Sequence, residues 1–532
     1  MRPSRVLASR GRVVRWPAVL LLAAAIVLMV VVDTDGTDDL DGNEALLERP
    51  LVPTAGRAES LSSTWYCAAG TIVEGGFADH TLVVANPSSV EAQVELTAFA
   101  VLAPQPITID LESDNVIADV GLVPPEAVAL GPTRSTVQVA PRSVERIRLA
   151  DQGVGGEHAA VLVESNVGDM VVEHIVAGIA GASMAPCASS SAQEWHFAAG
   201  TTRKDAREVI SIFNPFPGDA VIDMSFVADG TNRAPQIYGG LVVPSGTVLP
   251  VDISDVVTLF DVVSTDLSVR TGRVVVDRLV VVDGSEGAGG LSVAPGSIAP
   301  SGLWVLAANP APGGVDAVVI TNPSETEAIV DVEIRLDLPE FNGTVEPVGL
   351  TIRPGRTEVV VLSPGANLVS AGRVVDASDR ILDDVGYWVT VRSSSATPVV
   401  VDHLVAAASP TPTAYAVSPA LPVAATRHVM TTGDGGGEIV VVNPASDRIA
   451  QLELRLMSDG QEFMVLVGEV PQASRLVVDL EALGIGADGL LLVDTSEPVL
   501  IERRLALGTS GSFATPAIPV VGTTSSPIIP LG

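Results

Sequence analysis

The sequence predicts an all-β fold: four tandem antiparallel β-sandwiches of immunoglobulin or fibronectin type, preceded by an N-terminal transmembrane helix. Three observations carry this prediction. Hydrophobic residues make up 47% of the chain and aromatics only 4%, so Val, Ala, Leu and Ile must fill the cores, a mixture that suits pleated strands better than helices. A pattern typified by TLVVANPSSVEAQVELTAF is written four times, centred on Asn86-Pro87, Asn214-Pro215, Asn322-Pro323 and Asn443-Pro444. Turn signals then interrupt apolar runs every ten or so residues, in units of roughly 110 to 130. A β-propeller is the alternative, but its blades recur at about 40 to 50 residues. A length of 532 residues suits several cores rather than one.

In chain order, residues 1–15 are a basic segment holding Arg2, Arg5, Arg10, Arg12 and Arg15, and 16–32 are an uninterrupted apolar run. An acidic stretch follows. Basic flank, apolar run and acidic flank predict a signal anchor with its N-terminus inside and the remainder extracellular. A cleaved signal peptide is the alternative, though no small-x-small site follows Val32. Residues 33–60 read as an acidic linker without periodicity. The expected domains are 61–190, 191–299, 300–423 and 424–520, with a flexible tail at 521–532.

Each copy opens on Trp-x-apolar-Ala-Ala-Gly or a variant of it: WYCAAG from Trp65, WHFAAG from Trp195, WVLAAN from Trp304 and HVMTTG from His428. The Asn-Pro pair ends the next strand, because proline cannot donate to a ladder and disfavours helix before it, while asparagine closes an Asx-turn. Ala92, Ala220, Ala328 and Ala450 then begin half-buried alternating strands. A proline turn leads into a further strand. Each copy nears its end at an acid-base dipeptide: Glu173-His174, Asp277-Arg278, Asp402-His403 and Glu502-Arg503. Pro186, Pro295 and Pro419 each stand nine residues before the next opening motif, which predicts short, defined joints. The first copy carries an insertion of about 25 residues, including QPITIDLESDN, the best candidate for a specialised surface.

Cys67 and Cys187 open and close the first copy and are expected to pair; two unpaired core thiols are the alternative. No catalytic constellation emerges. The acid-base dipeptides recur at equivalent positions and neighbouring strand residues face opposite ways, so they read as structural rather than catalytic or metal-binding. His80 and His158 lack zinc-like spacing, and His196 and His428 read as packing residues. Gly433 to Glu438 (GDGGGE) lacks the Lys-Ser/Thr of a phosphate loop and reads as a hairpin. Asn342-Gly343-Thr344 matches a glycosylation sequon without further support. Of five tryptophans, only Trp388, beside Tyr387, is not explained by the anchor or the repeat, so these two are the candidate ligand contacts. No cofactor or metal is expected, apart from a minor expectation of calcium at acidic joints between copies. A formal charge of −33 argues against nucleic acid as a partner.

The anchor, WYCAAG and the repeated VVxNPxxxxAxVxL pattern resemble an uncharacterised family of actinobacterial exported proteins, a domain of unknown function with one N-terminal membrane anchor and a β-rich repeat ectodomain. The resemblance implies address and fold and transfers no active site. The expected function is a non-enzymatic, membrane-anchored cell-envelope protein acting as an extracellular stalk or interaction scaffold. It would be held by the cytoplasmic membrane and contact an envelope protein or cell-wall polysaccharide. The alternative is an accessory protein that binds or helps assemble cell-surface polysaccharide.

Overall fold

Apolar residues at every second position after each Asn-Pro pair build the strands Ala92–Leu102, Ala220–Ala228, Ala328–Leu336 and Ala450–Ser458. In Ala220–Ala228 the side chains of Ala220, Ile222 and Met224 are buried while Val221, Asp223 and Ser225 are half-buried, the period of two that a sheet with one covered face requires. This computed structural model describes residues 51–73, 75–102, 126–307, 314–338, 345–364, 368, 370–382, 385–407, 414–434, 436–506 and 512–525. Those from Leu51 onward belong to one unit. The architecture is all-β, in several sheets, with no closed barrel. The helical turns, such as Leu149–Gln152, are short and of 3-10 type.

In the first copy one sheet runs Ser63–Cys67, His158–Ser165, Ala92–Leu102, Val128–Val139 and the other runs Ser143–Arg148, Asp79–Asn86, Val171–Gly178, Gly181–Pro186. All neighbours in both are antiparallel. Trp65, Leu96 and Val163 of the first sheet share a core with Leu82, Val84 and Val172 of the second. The second and third copies repeat this order, with Thr231–Arg233 added beside Ala220–Ala228 in the second and one parallel pair added in the third, where Arg356–Val361 meets Arg373–Asp376. In the fourth, Leu490–Ala506 runs uninterrupted from one sheet into the other, pairing with Ala450–Ser458 at its start and Glu438–Asn443 towards its end. One strand thus does there what two do in the other copies.

The copies pack in a closed cycle. Their last strands, Gly181–Pro186, Gly290–Pro295, Ala414–Pro419 and Ser512–Pro516, touch in that order, and the fourth returns to the first. Each junction buries a mixed apolar cluster. Ala69 and Val176 meet Val209 and Leu279; Ala198 and Val280 meet Val319 and Leu404. Val305 and Trp388 meet Val440 and Leu500, and Val441 and Ile501 meet Val83 and Ile175.

Three expectations are corrected. No helix among the described residues is long and apolar enough to cross a membrane, so the expected single-pass membrane location with an extracellular ectodomain is not upheld; the apolar run 16–32 lies outside the described residues. The acidic linker expected to reach residue 60 stops short of it. Thr54 and Ala55 are buried, and Ala55 donates to the carbonyl of Pro519 at 3.0 Å and accepts from Val521 at 2.8 Å, tying the fourth copy to the first. The expected tail begins ordered, since Thr524 and Ser525 pair with Ala425 and Ala424. The QPITIDLESDN insertion and the sequon lie outside the described residues.

Candidate functional site

The four acid-base dipeptides converge on the junctions between copies. Each sits on a strand whose neighbouring side chains point to opposite faces, and Asp277, Arg278, Asp402, Glu173 and Arg503 bond across to another copy, while His403 bonds within its own. Asp277 turns back: its Oδ2 accepts from the amides of Ala68 at 2.7 Å and Ala69 at 3.1 Å. Arg278 turns forward, donating from Nη1 to Asp402 Oδ2 at 3.1 Å. Asp402 in turn accepts from the amide of Ala199 at 3.0 Å. At the closing junction Glu173 Oε2 accepts from Thr431 N at 3.1 Å, Thr431 Oγ1 at 2.6 Å and Arg503 Nη1 at 3.2 Å, and Arg503 Nη2 pairs with Glu173 Oε1. The opening motif thereby acquires a role in three of the copies: amides of Ala68 and Ala69, of Ala199 and of Thr431 hold Asp277, Asp402 and Glu173, the acid of the next copy round the cycle.

A third participant was not singled out from the sequence. Six residues before each conserved-pattern asparagine stand His80, Glu208 and Asp316, with Gly437 in the fourth copy. His174 Nδ1 lies 3.2 Å from His80 Nε2 and its Nε2 lies 4.0 Å from Asp277 Oδ2. His403 Nε2 donates to Asp316 Oδ1 at 2.8 Å, and Tyr387 donates to Asp316 Oδ2 at 2.7 Å. Glu208 accepts from Thr201 N at 2.7 Å. The same positions explain the glycine of Ala-Ala-Gly. A Cβ on Gly70, whose φ is +152°, would stand 2.4 Å from the ring of His80, and one on Gly200 would stand 2.3 Å from the Glu208 carboxylate. The signal was present in the repeat alignment, but a position filled by His, Glu, Asp and Gly resembles no motif.

These groups are all deeply buried, and desolvation governs their protonation. Burial pushes Asp277 up to about 7 against the pull of the Ala68 and Ala69 amides. It pushes Glu208 up to about 8, with Arg278 pulling the other way, and also raises Asp402. Burial holds His80 down to about 4 and His174 well below the histidine range, the latter helped by the neighbouring ring. His403 differs: burial opposes its charge, but Asp316 and Glu502 outweigh it and raise the pKa. Arg503 is drawn down to about 9 by burial, still charged at neutral pH. Each junction has its own charge solution in one geometry.

Cys67 and Cys187 form a disulfide across 120 residues of chain, and both are buried beside Trp65 in the first core. The asparagines are structural, each 0% exposed. Asn86 donates to the carbonyls of Val90 at 2.8 Å and Val139 at 3.1 Å and accepts from Ser88 N at 3.1 Å. Asn214, Asn322 and Asn443 repeat that set.

Tyr387 and Trp388 are corrected as candidate ligand contacts. Both are 1% exposed: the tyrosine is committed to Asp316, and the indole lies in the cluster between the third and fourth copies with Arg335 over its ring at 5.3 Å. A ring so enclosed offers no stacking face. The GDGGGE stretch is not the expected hairpin, since Ala424–Thr431 before it and Glu438–Asn443 after it pair with other strands and not with each other; it meets the first copy, where Arg146 Nη2 donates to Gly433 O at 2.5 Å and Nη1 to Asp434 at 2.6 Å. Among the described residues no group of three or more His, Cys, Asp or Glu side chains is arranged to hold a metal ion.

No protein-family model matches the chain, and no curated protein matches it. Among solved structures it is similar to a crystal structure of Streptomyces avermitilis alpha-L-rhamnosidase complexed with L-rhamnose, at 10% identity, over 71% of this chain and 46% of that one, with a TM-score of 0.12. The chain thus spans about half the length of that structure, and a likeness at that score carries no argument about fold or activity.

Proposed function

We propose that the chain is a non-enzymatic interaction scaffold built of four tandem antiparallel β-sandwich units closed into a ring. One observation carries this reading: of the charged side chains that most resemble catalytic or metal-binding pairs, Asp277, Arg278, Asp402, Glu173 and Arg503 bond across the joints between copies, and the Glu173–Arg503 pair links the fourth to the first. A cycle whose copies are joined by buried charged side chains supports a rigid platform rather than a linear stalk, and leaves the outer faces of the copies to meet a partner protein or polysaccharide. The disulfide fits folding in an oxidising compartment. Small-angle scattering tests the arrangement. For the portion from Leu51 onward a closed body has a radius of gyration of about 23 Å, against about 40 Å for four units in file; the larger value overturns the ring. Turnover of a substrate by the purified chain would overturn the non-enzymatic reading.

A further inference from the structure

The outer face of the second copy carries a polar row that the other copies lack. Strand register places Ser225, Asp266 and His196 side by side, with Asp223, Ser268 and Glu194 in the next row. The equivalent of the first row is Thr97, Leu162, Tyr66 in the first copy, Glu333, Thr390, Val305 in the third and Arg455, Leu492, Val429 in the fourth. A histidine beside a carboxylate occurs there in the second copy alone. The two rows floor a cleft of about 740 Å³ whose far wall, including Pro300 and Pro323, comes from the third copy. That wall is closely seated: a Cβ on Gly355 would stand 2.9 Å from Asn232 Nδ2 of the second copy.

His196 is 8% exposed, and its Nδ1 lies 2.6 Å from Asp266 Oδ1. Burial opposes its charge, yet the hydrogen bond to Asp266 and the attraction of Asp266 and Glu194 raise its pKa to about 9, so at neutral pH both ring nitrogens carry protons. Nε2 has no hydrogen-bond partner and stands 3.8 Å from Glu194 Oε2. That gap is too long for a direct bond, and Nε2 is buried, so the group open to the cleft is the Glu194 carboxylate, 63% exposed beside the imidazolium and able to accept from a hydroxyl. The remaining charges are matched. Arg270 clamps Asp223 through two bonds at 2.5 and 2.6 Å, and Asp223 also accepts from Gly240 N. Three carboxylates disfavour an anion, while the imidazolium and guanidinium disfavour a cation.

We propose that this cleft binds a neutral saccharide, one hydroxyl of which donates to Glu194. Pro235 and Pro300 supply apolar surface for the C–H face of the sugar, and Ser225 and Ser268 supply further hydroxyl partners. The site goes beyond the scaffold reading and does not depend on it. Its test is saturation-transfer NMR on the full chain with millimolar D-glucose, D-galactose, D-mannose and N-acetyl-D-glucosamine. Transfer to at least one sugar is expected, with affinity about tenfold weaker in Glu194→Ala and unchanged in Glu286→Ala. The Glu194 side chain is 63% exposed, so its removal leaves folding intact, checked by an unchanged melting temperature. No transfer to any of the four sugars overturns the proposal, as does transfer unaltered in Glu194→Ala. A preference for citrate or putrescine over every sugar overturns it in favour of a charged ligand.

Discussion

The buried ion pair of Glu173 and Arg503 joins residues 330 apart in sequence. Removing one partner strands the other charge away from water. Glu173→Ala is therefore expected to cost about 3–5 kcal/mol in chemical denaturation, while Glu173→Met with Arg503→Met recovers much of that loss. The exposed Lys204–Glu286 pair at 3.4 Å sets the contrast, with an expected cost below about 1 kcal/mol for Glu286→Ala. The pH dependence has two opposed limbs. His80 and His428 are held down by burial to about 4 and about 3, so below pH 6.5 the unfolded chain binds protons that the fold refuses, and stability falls on acidification. Asp277 and Glu208 are pushed up by burial to about 7 and about 8, so above the ordinary carboxylate range the fold holds protons that the unfolded chain has released. Stability on that limb falls as pH rises through those values. Calorimetry against pH should show a maximum in the mildly acidic range, with Asp277→Asn flattening the alkaline limb and leaving the acid limb in place. The sequence showed these pairs as recurrent and structural, because the same positions hold Glu, Asp, Asp and Glu beside His, Arg, His and Arg. It did not show that they reach other copies, because a strand neighbour's direction is local information and its distant partner is not.

At the scale of the element, the Asn-Pro turn was the most legible feature. Its chemistry is local: the side-chain oxygen accepts from the amide two residues on in all four copies, as an Asx-turn requires. The bonds from its amide nitrogen to Val139, Val243, Ile352 and Val470 span 27 to 53 residues, and no spacing rule announces them. Asn322→Ala leaves the carbonyls of Thr326 and Ile352 without this donor and is expected to cost about 1–3 kcal/mol in urea unfolding. Gly70→Ala should destabilise by a comparable amount, and by less in a His80→Ala background, because the collision is with that ring. The strands themselves followed from alternation. Leu490–Ala506 is one strand where the other copies have two, pairing up to Thr495 with Ala450–Ser458 and from Leu500 with Glu438–Asn443, on either side of Glu497-Pro498.

For the whole molecule, composition indicated several β cores but could not indicate their arrangement. Four copies separated by short joints are compatible with a file or a cycle. The choice rests on apolar residues such as Val83, Ile175 and Met184, which the period of two alone cannot assign to a neighbour; they pack against the fourth copy. Trp388 shows the same limit: a tryptophan unexplained by the repeat pattern suggested a ligand contact and proves to be filling between copies. Breaking the disulfide by Cys67→Ala with Cys187→Ala is expected to cost about 2–5 kcal/mol, read by thermal melting with and without reductant.

The backbone bonds between Ala55 and the Pro519–Val521 segment also set a timetable. During synthesis the first copy leaves the ribosome with Glu173 and the Val83 face uncovered, and its covering residues, Thr431, Ile501 and Arg503 among them, are translated last. The earliest copy must therefore wait for the latest one, and this late, long-range docking is the step most exposed to misassembly. The same adjacency makes the polypeptide permutable. Joining residue 525 to residue 51 through a linker and reopening the chain at the joint after Cys187 would change which copy waits, while keeping the bonds between Ala55 and the Pro519–Val521 segment.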